Sequence, residues 1–140
     1  MKKIVVLSLL VIAVISCNSS KSSNEDALYN TQWELEYLSG PKIAFKALFP
    51  TKKPEITFNK DTKKVTGNSG CNGYSASVTI DGNSISFGEP GPTTMMFCGD
   101  GENQFKNIIK KVNTYKVDEE GKLHLLLDDV TMMRFKSVTP

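Results

Sequence analysis

No stretch of this sequence is apolar for long enough to cross a membrane comfortably. The longest apolar run, Ile4–Ile15, has only about twelve residues, where a helical span needs about twenty. An excess of charge of one sign is also missing, because 17 Lys and Arg residues are offset by 15 Asp and Glu residues. Nearly balanced charge gives no electrostatic case for binding nucleic acid. No repeat recurs at the spacing of solenoids or propellers, which excludes those architectures.

The amino terminus is typical of a bacterial lipoprotein signal peptide. Two lysines precede the short apolar run, and the sequence Val14-Ile15-Ser16-Cys17 resembles the lipobox. We therefore expect residues 1–16 to be a signal peptide and the Cys17 thiol to carry a diacylglycerol thioether. Further acylation would anchor the chain firmly in a membrane. The alternative is an ordinary signal peptide followed by an unmodified cysteine.

The residues after Cys17 indicate a flexible tether and an outer-membrane location. Residues 17–30 are polar and rich in Ser and Asn, so we expect them to link the lipid to a domain over residues 31–136. Asn18, in place of an aspartate that would retain the protein in the inner membrane, favours the outer membrane. Whether the domain faces the periplasm or the cell surface stays open.

Cysteine counting favours one disulfide. If Cys17 is lipidated, Cys71 and Cys98 remain as a single pair in an oxidising compartment. We expect a structural bridge between them, with free thiols or redox chemistry as alternatives. Their spacing differs from the Cys-x-x-Cys pattern of oxidoreductases, which argues against the redox alternative.

Short alternating segments predict a mainly β domain. The predicted strands have apolar residues at every second position and are separated by polar or glycine-containing turns, of which Asp81-Gly82-Asn83 is the strongest hairpin signal. They are Thr31–Leu38, Glu55–Phe58, Lys64–Thr66, Tyr74–Ile80, Ser84–Phe87, Thr114–Val117, Lys122–Leu127 and Thr131–Phe135.

One helix is predicted after residue 98. Phe105, Ile108, Ile109 and Val112 form a single apolar stripe, and Asp100 can cap the amino end. Seven or eight short strands with one short helix predict a small antiparallel β-barrel, monomeric, with few exposed edges.

Two short motifs carry a family resemblance. Gly67, Gly70, Cys71, Asn72 and Tyr74 form the first, and Thr94, Met96 and Cys98 form the second about twenty residues later. This pair of motifs, with the helix and strands that follow, resembles the META domain of HslJ-like bacterial envelope proteins. Met95 departs from the pattern, in which a basic residue is expected. The resemblance implies a compact lipocalin-like barrel with the helix packed on it, and no agreed activity.

No catalytic or metal-binding set can be assembled from these residues. His124 is the single histidine and is predicted on the polar face of its strand, and two bridged cysteines leave no thiol nucleophile. One histidine with two cysteines is not a zinc site. Met95-Met96 and Met132-Met133 could offer thioethers to copper, but neighbours on a strand point to opposite faces.

Other candidate groups have ordinary structural roles. The acidic groups Asp118-Glu119-Glu120 and Asp128-Asp129 are predicted to be solvated turns rather than cation sites. Asn72 and Tyr74 could line a ligand mouth, although satisfying the backbone at the corner and packing explain them more simply. We therefore expect no cofactor and no metal.

The sequence thus predicts a non-enzymatic, membrane-anchored binding or stress-tolerance module of the envelope. Its partner would be an envelope protein or a small ligand, not a nucleic acid. Two alternatives stay open. One is a carrier that holds a small ligand in the barrel, and the other is a protease inhibitor acting through exposed loops such as Gly88–Pro92.

Overall fold

A computed structural model describes residues 25–29 and 31–138 of the chain. The described residues form eight strands and three short helices. The strands are β1 Gln32–Leu38, β2 Glu55–Asn59, β3 Lys64–Asn68, β4 Gly73–Asp81, β5 Ser84–Phe87, β6 Thr114–Val117, β7 Leu123–Leu127 and β8 Val130–Ser137. The helices are α1 at residues 25–29, α2 Phe45–Leu48 and α3 Gly101–Ile109.

The eight strands form one antiparallel sheet that closes on itself. Each strand pairs with the next along the chain, and β8 pairs with β1 to complete the ring. The β5–β6 junction is short, with Ser84 opposite Thr114 as its register pair. The predicted fold class, a small antiparallel barrel of seven or eight strands, is confirmed.

Alternation along the strands fills the interior with apolar side chains. On β4, the residues Tyr74, Ala76 and Val78 are buried, whereas the intervening serines are more exposed. Trp33 on β1 and Phe135 on β8 are also in the core. The α3 stripe of Phe105, Ile108 and Ile109, continued by Val112 beyond the helix, packs on the same core as predicted.

The folded region begins earlier than the sequence indicated. Residues 25–29 were assigned to the flexible tether, but they are helical, and Leu28 is fully buried. The Trp33 indole Nε1 donates a hydrogen bond to the Leu28 carbonyl oxygen at 3.1 Å. The tether prediction is therefore wrong for residues 25–29. The predicted lipidation site, Cys17, and the signal peptide lie outside the described residues.

One local detail also differs from expectation. Asp100 precedes α3, but its side chain makes no capping hydrogen bond, because residue 100 already has helical backbone angles instead of the extended angles of a capping residue. α2 is a single helical turn in the stretch before Pro50. Within the described part of the chain, none of the helices is long and apolar enough to span a membrane.

Candidate functional site

The connection between β3 and β4 is a sharp corner that depends on two glycines. A Cβ atom at Gly67 would lie 1.9 Å from the Glu55 carbonyl oxygen, so only glycine fits beside β2. Gly70 has a positive φ of 102°, and a Cβ there would meet the Phe49 ring at 2.6 Å. The corner is closed by the Ser69 amide, which donates to the Asn72 carbonyl oxygen at 3.0 Å.

A disulfide joins this corner to the segment before α3. Cys71 and Cys98 are bonded, with their Cα atoms 6.0 Å apart. The predicted bridge is therefore present, and neither cysteine offers a thiolate for nucleophilic chemistry. The bond fixes one end of the loop that runs from β5 to α3.

Asn72 fixes the same loop through hydrogen bonds. Its side chain is almost completely buried, and its Oδ1 accepts from the Thr94 hydroxyl and from the Met96 amide, both at 3.0 Å. Its Nδ2 donates to the Met96 carbonyl oxygen at 2.8 Å. One buried amide group therefore holds the chain on both sides of Met95.

Glu102 on α3 supports Asn72 from behind. Its carboxylate accepts from Asn72 Nδ2 at 2.6 Å and from the Ser69 hydroxyl at 2.9 Å, and it forms an ion pair with Lys106. Burial opposes the ionisation of Glu102. The hydrogen bonds from Lys106, Asn72 and Ser69 outweigh that effect and lower the pKa of Glu102. An ionised carboxylate therefore connects the helix, the corner and the loop.

The loop fixed in this way exposes three large apolar side chains. Residues 88–99 run without helix, strand or sharp bend. Met95 is 96% exposed, Met96 66% and Phe97 85%. Beside them lies a groove of about 560 Å³, which is lined by the loop together with Asn72, Glu102, Asn103 and Lys106. Exposed apolar side chains are usually scattered singly over a protein surface, so three adjacent ones make this loop a candidate interaction surface.

Comparison with known proteins identifies the family. The META domain profile matches residues 26–139. The chain belongs to the META domain family. Its structure resembles the NMR structure of a protein from Burkholderia xenovorans, with a TM-score of 0.66 and 22% sequence identity over 91% of this chain and 95% of that chain. At this identity the similarity shows the fold alone. Among curated proteins, none matches this chain.

The two META motifs of the sequence meet at this corner. The first motif provides Gly67, Gly70, Cys71 and Asn72, and the second provides Thr94, Met96 and Cys98 as their partners. Asn72 therefore satisfies backbone groups. Tyr74 is buried and packs edge-on against Phe105, with ring centroids 5.4 Å apart, and burial raises the pKa of its hydroxyl well above 10. Of the two residues, Asn72 also lines the groove beside α3, whereas Tyr74 does not.

His124 takes part in a polar cluster on β7. Its Nε2 is 2.8 Å from Asp118 Oδ2, and its Nδ1 is 3.2 Å from the Thr131 hydroxyl. Asp118 also accepts from the backbone amides of Glu120 and Lys122, and these hydrogen bonds, together with the His124 interaction, lower its pKa. The cluster stabilises the β6–β7 turn. The two cysteines are not available to it, since they are joined to each other.

The methionine pairs do not converge on one site. Met133 is completely buried in the barrel core opposite Leu125, whereas Met95 is exposed on the loop. Met133 therefore fills core space, as methionine often does. Across residues 25–29 and 31–138, no group of three His, Cys, Asp or Glu side chains is arranged to hold a metal ion.

Sequence reasoning did not find three residues that complete the site. Ser69 and Glu102 were not connected with Asn72, although the Glu102–Lys106 spacing of i, i+4 on the predicted helix indicated a paired carboxylate. Phe97 was not recognised as exposed, because an apolar run next to a cysteine normally indicates burial. No periodicity in the sequence marks it as a surface residue.

Proposed function

We propose that this META-domain chain is a non-enzymatic binding protein of the bacterial envelope, anchored by lipid on Cys17. The observation that carries the proposal is the exposure of Met95, Met96 and Phe97 on a loop that is held rigidly. Rigidity matters because a preorganised loop loses little conformational entropy when it binds. Folding alone gives no reason to expose such residues, so a partner that covers them is the simplest explanation.

The partner in this proposal is another envelope protein. The exposed apolar side chains of Met95, Met96 and Phe97 suit contact with a protein surface better than enclosure of a small molecule. A carrier that uses the barrel interior has less support, because large side chains such as Trp33, Phe58 and Phe135 are fully buried there. Stress tolerance would follow if binding protects an envelope component.

The membrane tether in this proposal is residues 17–24. The lipobox-like sequence ending at Cys17 and the polar residues that follow it support this arrangement. Asn18 supports sorting to the outer membrane. The proposed chain then holds its domain within a few nanometres of the bilayer, since a tether of about seven residues reaches no further than about 25 Å.

A site-specific crosslinking experiment tests the binding proposal. A photoreactive phenylalanine replaces Phe97 in the full chain, and the same residue at Val130, which is 61% exposed on β8, is the matched control. We expect intact cells to give a discrete adduct from position 97 that position 130 does not give. The adduct should weaken when Cys71 and Cys98 are both changed to Ser. Equal adducts from both positions, or none from position 97, would contradict the proposal.

Mass spectrometry of the mature protein tests the anchor. We expect an amino-terminal Cys17 that carries a diacylglycerol and at least one further acyl chain, in the outer-membrane fraction. Cys17→Ser should abolish the modification and release the protein from that fraction. An unmodified amino terminus at or before residue 17 would reject lipidation.

A further inference from the structure

We propose that this loop is a substrate-like inhibitor of serine endopeptidases, with the Met95–Met96 peptide bond presented for attack. The inference rests on the proposed function, because it names the partner of the same loop. The sequence suggested loops such as Gly88–Pro92 for this role. The exposed and constrained residues are instead Thr94, Met95, Met96 and Phe97, several residues further along the same loop.

The backbone of the loop has the form that endopeptidases bind. Residues 88–99 belong to no helix or strand, so the backbone around Met95 is not committed to regular hydrogen bonding. Met95 has 96% of its surface accessible, which leaves its side chain free to enter a specificity pocket. Its unbranched apolar side chain suits the hydrophobic pocket of chymotrypsin-like or subtilisin-like enzymes, not the acidic pocket of trypsin.

Asn72 spans the bond that would be attacked. It accepts from the Thr94 hydroxyl on one side of Met95, and it both accepts from the Met96 amide and donates to the Met96 carbonyl on the other. The Cys71–Cys98 disulfide holds the chain two residues beyond Met96. A general apolar docking surface does not require both sides of one peptide bond to be tied to a single buried side chain. An inhibitor does require this, because the two chain ends created by cleavage must stay close together if the peptide bond is to form again.

Cleavage of the Met95–Met96 peptide bond by the peptidase would then be reversible. The serine hydroxyl of the peptidase adds to the Met95 carbonyl carbon, and the bond to the Met96 nitrogen breaks as that nitrogen takes a proton from the general acid. The products are an acyl-enzyme at Met95 and a free Met96 amine. Because Asn72 and the disulfide keep this amine close, it attacks the acyl carbon again, releases the serine and restores the peptide bond. Hydrolysis by water is slow in comparison, so the enzyme stays occupied.

The partner is expected to bind with little change in the loop. Complexes between proteases and their protein inhibitors usually form with small backbone movements, and they are tight for interfaces of ordinary size. The groove beside α3 would receive the edge of the peptidase active site. Glu102, paired with Lys106, also supports the loop through its hydrogen bond from Asn72.

The test measures inhibition of chymotrypsin, pancreatic elastase, subtilisin and trypsin by the full chain purified in detergent. We expect tight inhibition of at least one of the first three enzymes and weak inhibition of trypsin. Met95→Asp should weaken the inhibition by about 100-fold, as for a central hot-spot side chain, and Val130→Asp should leave it unchanged. Met95→Arg should transfer inhibition to trypsin.

Asn72→Ala distinguishes a role in inhibition from a role in folding alone, because the measured quantity is the rate of cleavage at Met95–Met96. We expect it to bind initially and then to be cut at Met95–Met96 within minutes, whereas the wild type reaches a stable mixture of intact and cut forms. A circular dichroism spectrum checks that the variant is folded, and Thr94→Val, which removes only the hydroxyl that donates to Asn72, replaces it with the same readout if it is not. Rapid and complete hydrolysis of the wild type would overturn the proposal. Inhibition that is unchanged by Met95→Asp would also overturn it.

Two further arms separate this inference from the proposed function. Failure to inhibit any of the four enzymes, together with a specific adduct from position 97 to a protein that is not a peptidase, would overturn the inhibitor and leave the binding proposal standing. Flotation with phosphatidylethanolamine–phosphatidylglycerol vesicles and analytical ultracentrifugation test the other uses of an apolar tip. Met95-dependent vesicle binding by the Cys17→Ser chain, or dimerisation through this loop, would also overturn the inhibitor.

Discussion

Asn72 holds both backbone polar groups of Met96, accepting from its amide and donating to its carbonyl oxygen. This pairing is the type that two strands make, but a buried side chain replaces the second strand. The backbone of Met96, in a loop without regular structure, is therefore hydrogen-bonded as it would be in a sheet. The arrangement fixes the position of residues that are themselves almost fully exposed.

Loss of the Asn72 side chain should destabilise the protein by about 2 kcal/mol, because the Thr94 hydroxyl, the Met96 backbone and Glu102 lose partners at a mostly buried site. Urea unfolding of Asn72→Ala measures the change. Asn113→Ala is the matched control, since Asn113 makes a similar pair of hydrogen bonds to Asp128 but is exposed. We expect less than about 1 kcal/mol for the control. Equal costs would show that Asn72 does not hold the loop.

Glu102 should make stability depend on pH in the acid range. Its pKa in the folded state lies below the ordinary value of 4.5, so its ionised form stabilises the fold at pH values above 4.5. That stabilisation is lost as the pH falls through the lowered pKa. Glu102→Gln should therefore reduce stability at pH 7 and flatten the decline between pH 5 and 3. The measurement is the free energy of unfolding against pH.

The decline should flatten only in part, because Glu34 and Glu36 also have lowered pKa values. Burial opposes their ionisation, but hydrogen bonds from lysine and arginine side chains outweigh it. Glu89→Gln is the matched control, since the Glu89 carboxylate pairs with Lys110 but is 85% exposed. A Glu102→Gln curve parallel to that of the wild type would contradict the prediction.

Removal of the disulfide should reduce stability by about 3.5 kcal/mol. The bond links residues that are 27 positions apart, and a loop of that length loses this much conformational entropy in the unfolded chain. Thermal unfolding of the Cys71→Ser/Cys98→Ser variant measures the change, and Cys17→Ser serves as the control that leaves the bridge intact. A cost below about 1 kcal/mol would mean that the corner is held by Asn72 alone.

The sequence was sufficient for the barrel because its strands follow a period of two. Trp33 and Leu35, or Tyr74 and Ala76, alternate with polar residues, and this pattern survives in the structure. The turn at Gly70 was also predictable, because the glycines that form it are close together in the sequence. Each of these predictions depends on neighbours along the chain, which a single sequence contains.

The network behind the loop was not predictable, because its partners come from three distant segments. Nothing near Asn72 indicates that Glu102 will approach it from α3. The exposure of Phe97 is likewise decided by tertiary restraints, since the disulfide and Asn72 hold the chain where Phe97 cannot turn inward. Leu28 was missed for another reason: the run Ala27-Leu28-Tyr29 is too short to show a periodicity.

Leu28 provides a test of where the domain begins. Its side chain is completely buried, and its carbonyl oxygen accepts a hydrogen bond from Trp33, the single tryptophan of the chain. Leu28→Ala should destabilise the full chain by about 2–4 kcal/mol through the cavity it leaves. Ile43→Ala, at a residue that is 52% exposed, should change stability by less than about 0.5 kcal/mol.

Trp33 fluorescence during guanidinium unfolding measures both variants. We expect the Leu28→Ala variant to unfold at lower denaturant with an unchanged slope, because the same surface is exposed on unfolding. Its native emission should also shift to the red, since water gains access to the indole once α1 packs less closely. If Leu28→Ala behaves like Ile43→Ala in both midpoint and emission, residues 25–29 belong to the tether after all, and the domain begins at β1.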